Sequence, residues 1–102
     1  RDPEEYAVSH LKNAVNIEKA ENLNLARDRF IVSYCSVGYR SAEFVENAVA
    51  SGYTNIFNYK GSIFEWANAG NPVFKNGVRT EKVHPYDGYW GKLLNKELRW
   101  KQ

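Results

Sequence analysis

An α/β fold with a central parallel sheet is the class this sequence predicts. Three observations carry that expectation. Strand-like and helix-like segments alternate along the chain with short connectors. The run Phe30-Ile31-Val32-Ser33-Tyr34 is continuous and β-branched, as in a central strand buried on both faces. The stretch from Arg40 to Ser51 sets Phe44, Val45, Ala48 and Val49 in one apolar stripe at helical spacing. Together they predict three layers, α/β/α, with helices on both faces of the sheet.

Taken in order, Asp2-Pro3-Glu4-Glu5 reads as a helix start. Asp caps, Pro suits the first helical position, and Glu5 completes the capping spacing. Ser9-His10 and Lys12-Asn13 break that helix. Ala14-Val15-Asn16-Ile17 reads as a brief strand, and Glu18 to Ala26 as a second helix with Leu23 and Leu25 facing inward. After the 30–34 strand and the 40–51 helix, Gly52 reads as a C-terminal cap. Asn55-Ile56-Phe57-Asn58-Tyr59 is the second core strand. Ser62-Ile63-Phe64-Glu65 is another capping box, opening a helix that ends at Gly70 before Asn71-Pro72. Phe64 and Trp66 sit at helical spacing and read as core. Val73-Phe74 and Val78 flank Lys75-Asn76-Gly77, where Asn-Gly predicts a tight turn.

Bulk properties limit the function classes. The chain has 102 residues, enough for one small domain, and is 43% hydrophobic and 25% charged, as soluble domains are. No apolar run approaches the roughly 18 residues of a membrane span, so no membrane partner is expected. Arg1-Asp2-Pro3-Glu4-Glu5 does not resemble a signal peptide. The chain holds no methionine, as a processed form or a fragment would. Cys35 is the only cysteine, so an internal disulfide and a cysteine zinc site are ruled out, and His10 and His84 are far apart. No metal and no cofactor are expected, and a reducing compartment, the cytoplasm, is the simplest setting. Residues 75–102 hold seven Lys/Arg and three Asp/Glu, a net of +4 against −2 elsewhere. That is too weak to argue for nucleic acid. The basic tail reads as a wrap that buries Trp90, Leu93 and Leu94. The alternative is a docking element for an acidic partner, an anionic acceptor or a second subunit.

The chemistry concentrates at Cys35. It ends the best strand and precedes a short loop, Ser36-Val37-Gly38-Tyr39, then Arg40 and the helix. Sites in parallel sheets lie beyond the carboxyl ends of the strands. A thiol attacks as thiolate, which needs stabilisation of negative charge. Inward amides of residues 36–40, the helix N-terminus and the Arg40 charge supply it. Gly38 allows φ > 0 and a close backbone approach. Ser41 caps the helix or donates to an anion. A lone cysteine is most often a small buried hydrophobe, and it is the strand–Cys–loop–Arg–helix setting that argues for a reactive one. His10 reads as structural, and Tyr39 as an exposed residue that shapes acceptor access.

These segments resemble the rhodanese family of sulfurtransferases. Asp2-Pro3-Glu4-Glu5-Tyr6 through Ser9-His10-Leu11 and Asn13-Ala14-Val15-Asn16-Ile17 is similar to the family's N-terminal signature. Val32 to Ala42 resembles its active-site segment, and Gly52-Tyr53-Thr54-Asn55-Ile56 with Lys60-Gly61-Ser62-Ile63-Phe64-Glu65-Trp66 its C-terminal one. The resemblance covers residues 1 to about 73. It implies a doubly wound domain over 1–74, with 75–102 an extension packing on it. It implies that Cys35 takes a sulfane sulfur from a donor such as thiosulfate and passes it, as a persulfide, to cyanide or a thiol, which a protein acceptor can also supply. By position, the amides of Ser36, Val37, Gly38, Tyr39 and Arg40 would cradle the persulfide, and the Arg40 side chain would steer the donor. The family begins with a strand ending in Asp-x-Arg, and Arg1 stands where that arginine would be, so that N-terminal strand is expected to be missing from this sequence and the 1–74 domain to be N-terminally incomplete. Ser9 stands where glycine is usual.

Two other readings compete. Dual-specificity phosphatases and arsenate reductases share this fold, but the phosphatase loop is Cys-x5-Arg. Here Cys35 to Arg40 is Cys-x4-Arg, a tighter cradle suited to one sulfur, and no aspartate is evident as a general acid. A non-catalytic docking module is the third reading, and the complete cysteine loop speaks against it. The physiological donor and acceptor, the pathway and the oligomeric state are not legible here.

Overall fold

The computed structural model describes residues 1–21 and 23–101. Helix α1 (Pro3–Val8) starts as its sequence dictates, with Asp2 as N-cap and Pro3 in the first turn. Glu5 Oε1 accepts from the Asp2 amide at 3.1 Å. Ser9 follows in extended backbone at φ −168°, which any residue adopts, so serine fits there as readily as glycine. His10 then exchanges hydrogen bonds with Phe74, at 2.9 and 2.8 Å.

Ala14 to Ile17 does not form the expected strand. Its polar groups are taken locally: the Tyr6 hydroxyl donates to the Ala14 carbonyl at 2.7 Å, and Asn16 Oδ1 accepts from the Glu18 amide at 3.2 Å. Asn16 thereby caps helix α2 (Ile17–Glu21). This helix is shorter than the expected 18–26, one position of which, 22, lies outside the described residues. Leu23 is exposed rather than inward-facing, while Leu25 is half-buried.

Strands β1 (Ile31–Ser33) and β2 (Ile56–Asn58) pair in parallel, Ile31 with Ile56, Val32 with Phe57 and Ser33 with Asn58. Helix α3 (Tyr39–Ala50) connects them and packs against both. Gly52, at φ 100°, ends it as expected, and the Tyr53 amide reaches back to the Ala48 carbonyl at 3.1 Å. The expectation of a strand buried on both faces fails. Val32 and Phe57 are each 51% exposed on the face away from α3, and the Phe30 ring lies 5.6 Å from that of Phe57. A β-branched run specifies strand conformation, but cover on each face depends on what packs there.

Helix α4 (Ser62–Asn68) follows, then strands β3 (Val73–Lys75) and β4 (Val78–Thr80), an antiparallel hairpin. Asn76 and Gly77 turn it with φ of 50° and 78°, the two left-handed residues of a type I′ turn. Ile63, Phe64, Ala67 and Val73 form the core with Val83 and Leu94 from the C-terminal segment. That segment returns along the domain through two 3₁₀ turns, Trp90–Leu93 and Lys96–Leu98. Of the three residues expected to be buried there, Leu94 is fully buried, Leu93 is exposed and Trp90 keeps 37% of its surface.

Two stability outcomes follow from this packing. Leu94→Ala is expected to lower unfolding free energy in urea by about 2–5 kcal/mol, as for other buried leucines. A loss below about 1 kcal/mol would mean the Leu94 side chain contributes little to the core. Ser9 is fully buried with its hydroxyl unpartnered, so Ser9→Ala should be neutral or stabilising in the same titration.

Candidate active site

Cys35 lies just past the carboxyl end of β1 and is only 3% exposed. Around its sulfur the chain supplies hydrogen-bond donors. The Gly38 amide donates to Sγ at 3.1 Å, and the Ser41 hydroxyl lies 3.5 Å away. Burial pushes the thiol up. The Ser41 hydroxyl and the amides of Ser41, Gly38 and Val37 outweigh it and bring the thiol from 9.0 down to about 7. These donors stand at the N-terminus of α3, whose dipole acts in the same sense. Gly38 is the N-cap at φ 109°, a conformation L side chains rarely adopt. Ser41 is therefore not the cap. It is buried inside the first turn, with its one proton shared between the sulfur and Asn58 Oδ1, 2.5 Å away.

The loop turns its amides inward because its carbonyls are held outward. The amides of Gly61, Ile63 and Phe64 donate to the carbonyls of Val37, Cys35 and Ser36 at 3.2, 3.2 and 3.0 Å. Amides at a helix start have no partner within the helix, and the cysteine loop supplies one. Gly61 takes the N-cap of α4 at φ 80°, where a Cβ would collide with Glu65. This displaces Ser62 from the capping role its sequence suggested. Ser62, buried at φ 50°, instead accepts from the Cys35 amide at 3.1 Å and donates to the Tyr59 carbonyl at 2.8 Å. Asn58, at the carboxyl end of β2, donates to the Gly38 carbonyl at 3.2 Å.

Beneath the loop lies a charged cluster centred on Glu5. Arg40 pairs with its carboxylate in bidentate fashion at 2.9 and 3.0 Å, and Arg1 Nη2 approaches it at 2.6 Å. Ser36 Oγ ties the group together, accepting from Arg1 at 2.7 Å and from Arg40 at 3.1 Å. Burial pushes the Glu5 carboxyl up, but the Arg40 hydrogen bonds and the Arg1 charge hold it down to about 2. Arg40, whose side chain was expected to steer the donor, has its terminal nitrogens on Glu5 and stacks 4.5 Å over the Tyr86 ring.

Two spaces border the sulfur. One, of about 110 Å³, lies among Arg1, Ser33, Tyr34, Arg40, Ser41 and Phe44. The other, of about 220 Å³, opens between Val37, Tyr39 and Arg40 of the loop and Tyr86 and Trp90 of the C-terminal segment. Tyr39 is 75% exposed at its edge. Trp66, packed on the core and donating to the Pro72 carbonyl at 2.8 Å, lines neither space. His10, stacked on Tyr6 and hydrogen-bonded to its carbonyl, lines neither as well. Sequence reasoning placed Cys35 through Ser41 together, as the structure does. It missed Arg1, Glu5, Asn58 and Ser62 as neighbours of the loop. Asn58 had a signal: it ends the strand paired with the cysteine strand, where sites in parallel sheets form.

A strand-end cysteine in an amide-lined loop on a parallel α/β unit defines a class of thiol-centred domains. Within it, residues 1–69 match the rhodanese-like domain family, and the chain belongs to that family. A Mycobacterium tuberculosis protein named "Probable adenylyltransferase/sulfurtransferase MoeZ" is 35% identical over 78 residues, 71% of this chain and 20% of its own length. A tRNA uridine(34) hydroxylase of Pectobacterium carotovorum is 31% identical over 66% of this chain and 22% of its own length. A sulfurtransferase of Allochromatium vinosum is 35% identical over 48% of this chain and 46% of its own length. The chain thus spans about a fifth of the first two relatives and under half of the third.

The geometry fixes two titrations. Alkylation of Cys35 by iodoacetamide should rise with pH to a midpoint at about 7. Ser41→Ala should move that midpoint up by about one unit, the worth of one charge-assisted hydrogen bond. An unmoved midpoint would remove Ser41 from the thiolate's support. Glu5, ionised far below its unfolded 4.5, stabilises the fold above that pH, and the gain is lost as pH falls towards 2. Glu5→Gln should cost about 3–5 kcal/mol at neutral pH by stranding Arg1. Its deficit against the parent should shrink between pH 4.5 and 2 in urea titrations.

Proposed function

We propose that this chain is a sulfurtransferase that carries a sulfane sulfur on Cys35. One observation carries the reading: at the strand end the almost wholly buried Cys35 has the Gly38 amide 3.1 Å and the Ser41 hydroxyl 3.5 Å from its sulfur, donors that favour the thiolate. The names of the mycobacterial and Allochromatium relatives support it. In the proposed reaction the Cys35 thiolate attacks the outer sulfur of an anionic donor such as thiosulfate. The donor's S–S bond breaks and sulfite leaves with the bonding pair. The Cys35 persulfide then meets cyanide or a thiolate, small or protein-borne, which attacks the terminal sulfur. The bond to Sγ breaks, and Cys35 returns as thiolate. Charge and electrons balance without an outside oxidant.

In this reading the amides of Ser36, Val37, Gly38, Tyr39 and Arg40, with the Ser41 amide and hydroxyl, hold the terminal sulfur's charge. Arg40 positions the loop through Glu5 and adds field for the incoming anion. Displacement at sulfur runs in line, so leaving sulfite and attacking acceptor occupy the same place beyond the terminal sulfur. Donor product must leave before the acceptor enters. We extend the reading to a three-layer α/β/α domain over 1–74 with 75–102 as its extension, working in the reducing cytoplasm, where a lone thiol stays reduced. Among the described residues, no helix is long and apolar enough to cross a membrane. The four-residue spacing between Cys35 and Arg40, one shorter than the phosphatase loop, disfavours the phosphatase reading; the space of about 220 Å³ has no acidic residue on its walls, and Asp2, which lines the smaller space, is paired with Arg40 at 3.6 Å.

Incubation with thiosulfate should add one sulfur atom to the intact mass, removable by cyanide and absent in Cys35→Ser. Thiosulfate:cyanide kinetics should be ping-pong, giving parallel reciprocal plots. The rate should climb through pH of about 7 as thiolate forms. Aryl-phosphate hydrolysis without sulfur uptake would sink the proposal.

A further inference from the structure

The second space beside Cys35 is walled on one side by residues beyond the family match, which ends at residue 69. We infer that Tyr86 and Trp90, with Tyr39 of the loop, form a binding site for small thiols with a flat apolar body, which accept the sulfur from Cys35. This deepens the proposed function and rests on it.

The backbone that carries the two rings is held by local hydrogen bonds, and the Trp90 ring stands edge-on to that of Tyr89 at 5.3 Å. Tyr86 has φ 70°, a left-handed backbone that a bulky residue rarely adopts. It is held there by its amide, which donates to His84 Nδ1 at 3.0 Å. The His84 carbonyl in turn accepts from Arg1 Nη2 at 2.8 Å, tying the segment to the cluster beneath the cysteine loop. Arg40 covers one face of the Tyr86 ring at 4.5 Å. Trp90 is set by Asp87, whose Oδ1 accepts from the Tyr89 and Trp90 amides at 2.9 and 2.7 Å. Gly91 lets the turn close against Pro85, where a Cβ would approach the proline ring to 2.9 Å. Strained backbone held by surrounding bonds is a mark of functional surfaces, and rings carried on a held backbone lose less freedom on binding.

The chemistry of the occupant follows from its two ends. One end must reach the terminal sulfur of the persulfide, so it is a thiolate or cyanide. The other end meets three aromatic side chains, all of which keep exposed surface. At about 220 Å³ the space falls below the roughly 300–1,000 Å³ of drug-sized sites, so the body is small. Cyanide on the sulfur is too short to use these walls. A thiol with a planar body fills them by stacking. The transfer is the step already balanced above: RS⁻ takes the terminal sulfur as RSS⁻ and Cys35 leaves as thiolate.

The test uses the full chain loaded with thiosulfate and freed of sulfite, with benzyl mercaptan, mercaptoethanol and cyanide as acceptors. Wild type should favour benzyl mercaptan over mercaptoethanol by about tenfold in kcat/KM, and Tyr86→Gly and Trp90→Leu should each erase most of that preference. Tyr86→Gly removes the ring at a backbone angle glycine adopts freely, its cyanide transfer and circular dichroism report whether the fold is kept, and Tyr86→Phe should restore the preference. Cyanide transfer serves as the reference against which each ratio is taken. Equal kcat/KM for the two thiols in wild type, or a preference that survives both substitutions, overturns the aromatic site and leaves sulfur transfer standing. A wild-type chain that takes up no sulfur overturns the sulfurtransferase reading instead. The walls are then read by attack of the Cys35 thiolate on dibenzyl disulfide against hydroxyethyl disulfide, which forms the mixed disulfide and releases one thiolate. A benzyl preference lost in Tyr86→Gly supports the aromatic site, and no preference overturns it.

Discussion

A thiolate removed from water must find its solvation in the protein, and much of this fold serves that requirement. Cys35 is nearly buried as a residue, so the charge of its thiolate has to be met by N–H and O–H groups. Amides can face inward only if the carbonyls of the same peptide units find partners outside the loop. Those partners are the opening amides of α4 at Ile63 and Phe64, with Gly61 just before them. One helix start thus lends its unpaired donors to the loop's carbonyls, while another, at α3, turns its own towards the sulfur. The left-handed glycines at 38 and 61 make the two approaches possible.

The charged cluster under the loop is the second half of the arrangement. Two guanidinium groups converge on one buried carboxylate, and Arg40 also pairs with the exposed Asp2 at 3.6 Å, so the side-chain charges of the cluster balance close to the sulfur. Desolvation is the largest influence on Arg1, lowering it, and on Arg40, where the Glu5 contacts more than restore it. The thiolate's attraction favours the charged form of both arginines, so ionising Cys35 and keeping the cluster charged reinforce each other. A buried carboxylate paired on two sides is poor evidence for stability as such. Here it fixes Arg40 and, through Ser36, the first residue of the loop. That is a positional role.

How much of this the sequence carried depends on how local each determinant is. The Asn76-Gly77 turn, the Asp2-Pro3 start and the Gly52 stop are decided within a few residues, and all three appear as read. The cysteine loop was legible for the same reason, because strand, glycine, arginine and helix lie in one contiguous segment. The failures are matters of environment. Val32 and Phe57 are apolar and strand-forming, yet they face away from α3 and keep about half of their surface exposed. Ser62 fits the capping pattern, but Gly61 occupies the cap and leaves the serine hydroxyl to the Cys35 amide. Glu5 was legible as a capping residue and does accept from Asp2. Its contact with Arg40, thirty-five positions away, depends on a fold no local pattern records.

The spacing of Cys35 and Arg40 links the two halves of the site. With four residues between them and Gly38 as N-cap, Arg40 falls in the first turn of α3. From there its guanidinium turns down onto Glu5 and presents a face to Tyr86. Its terminal nitrogens are then committed to Glu5, while the side chain still lines the opening beside Cys35 together with Val37 and Tyr39 of the loop and the returning C-terminal segment. Support of the thiolate therefore rests on residues within the matched family segment, and the aromatic side of the opening on residues beyond it. Tyr86 touches both, since the cation beneath its ring belongs to the cluster that holds the loop. A change at Tyr86 can therefore alter what reaches the sulfur while the hydrogen bonds that keep it ionised, from Gly38 and Ser41, stay with the loop and α3.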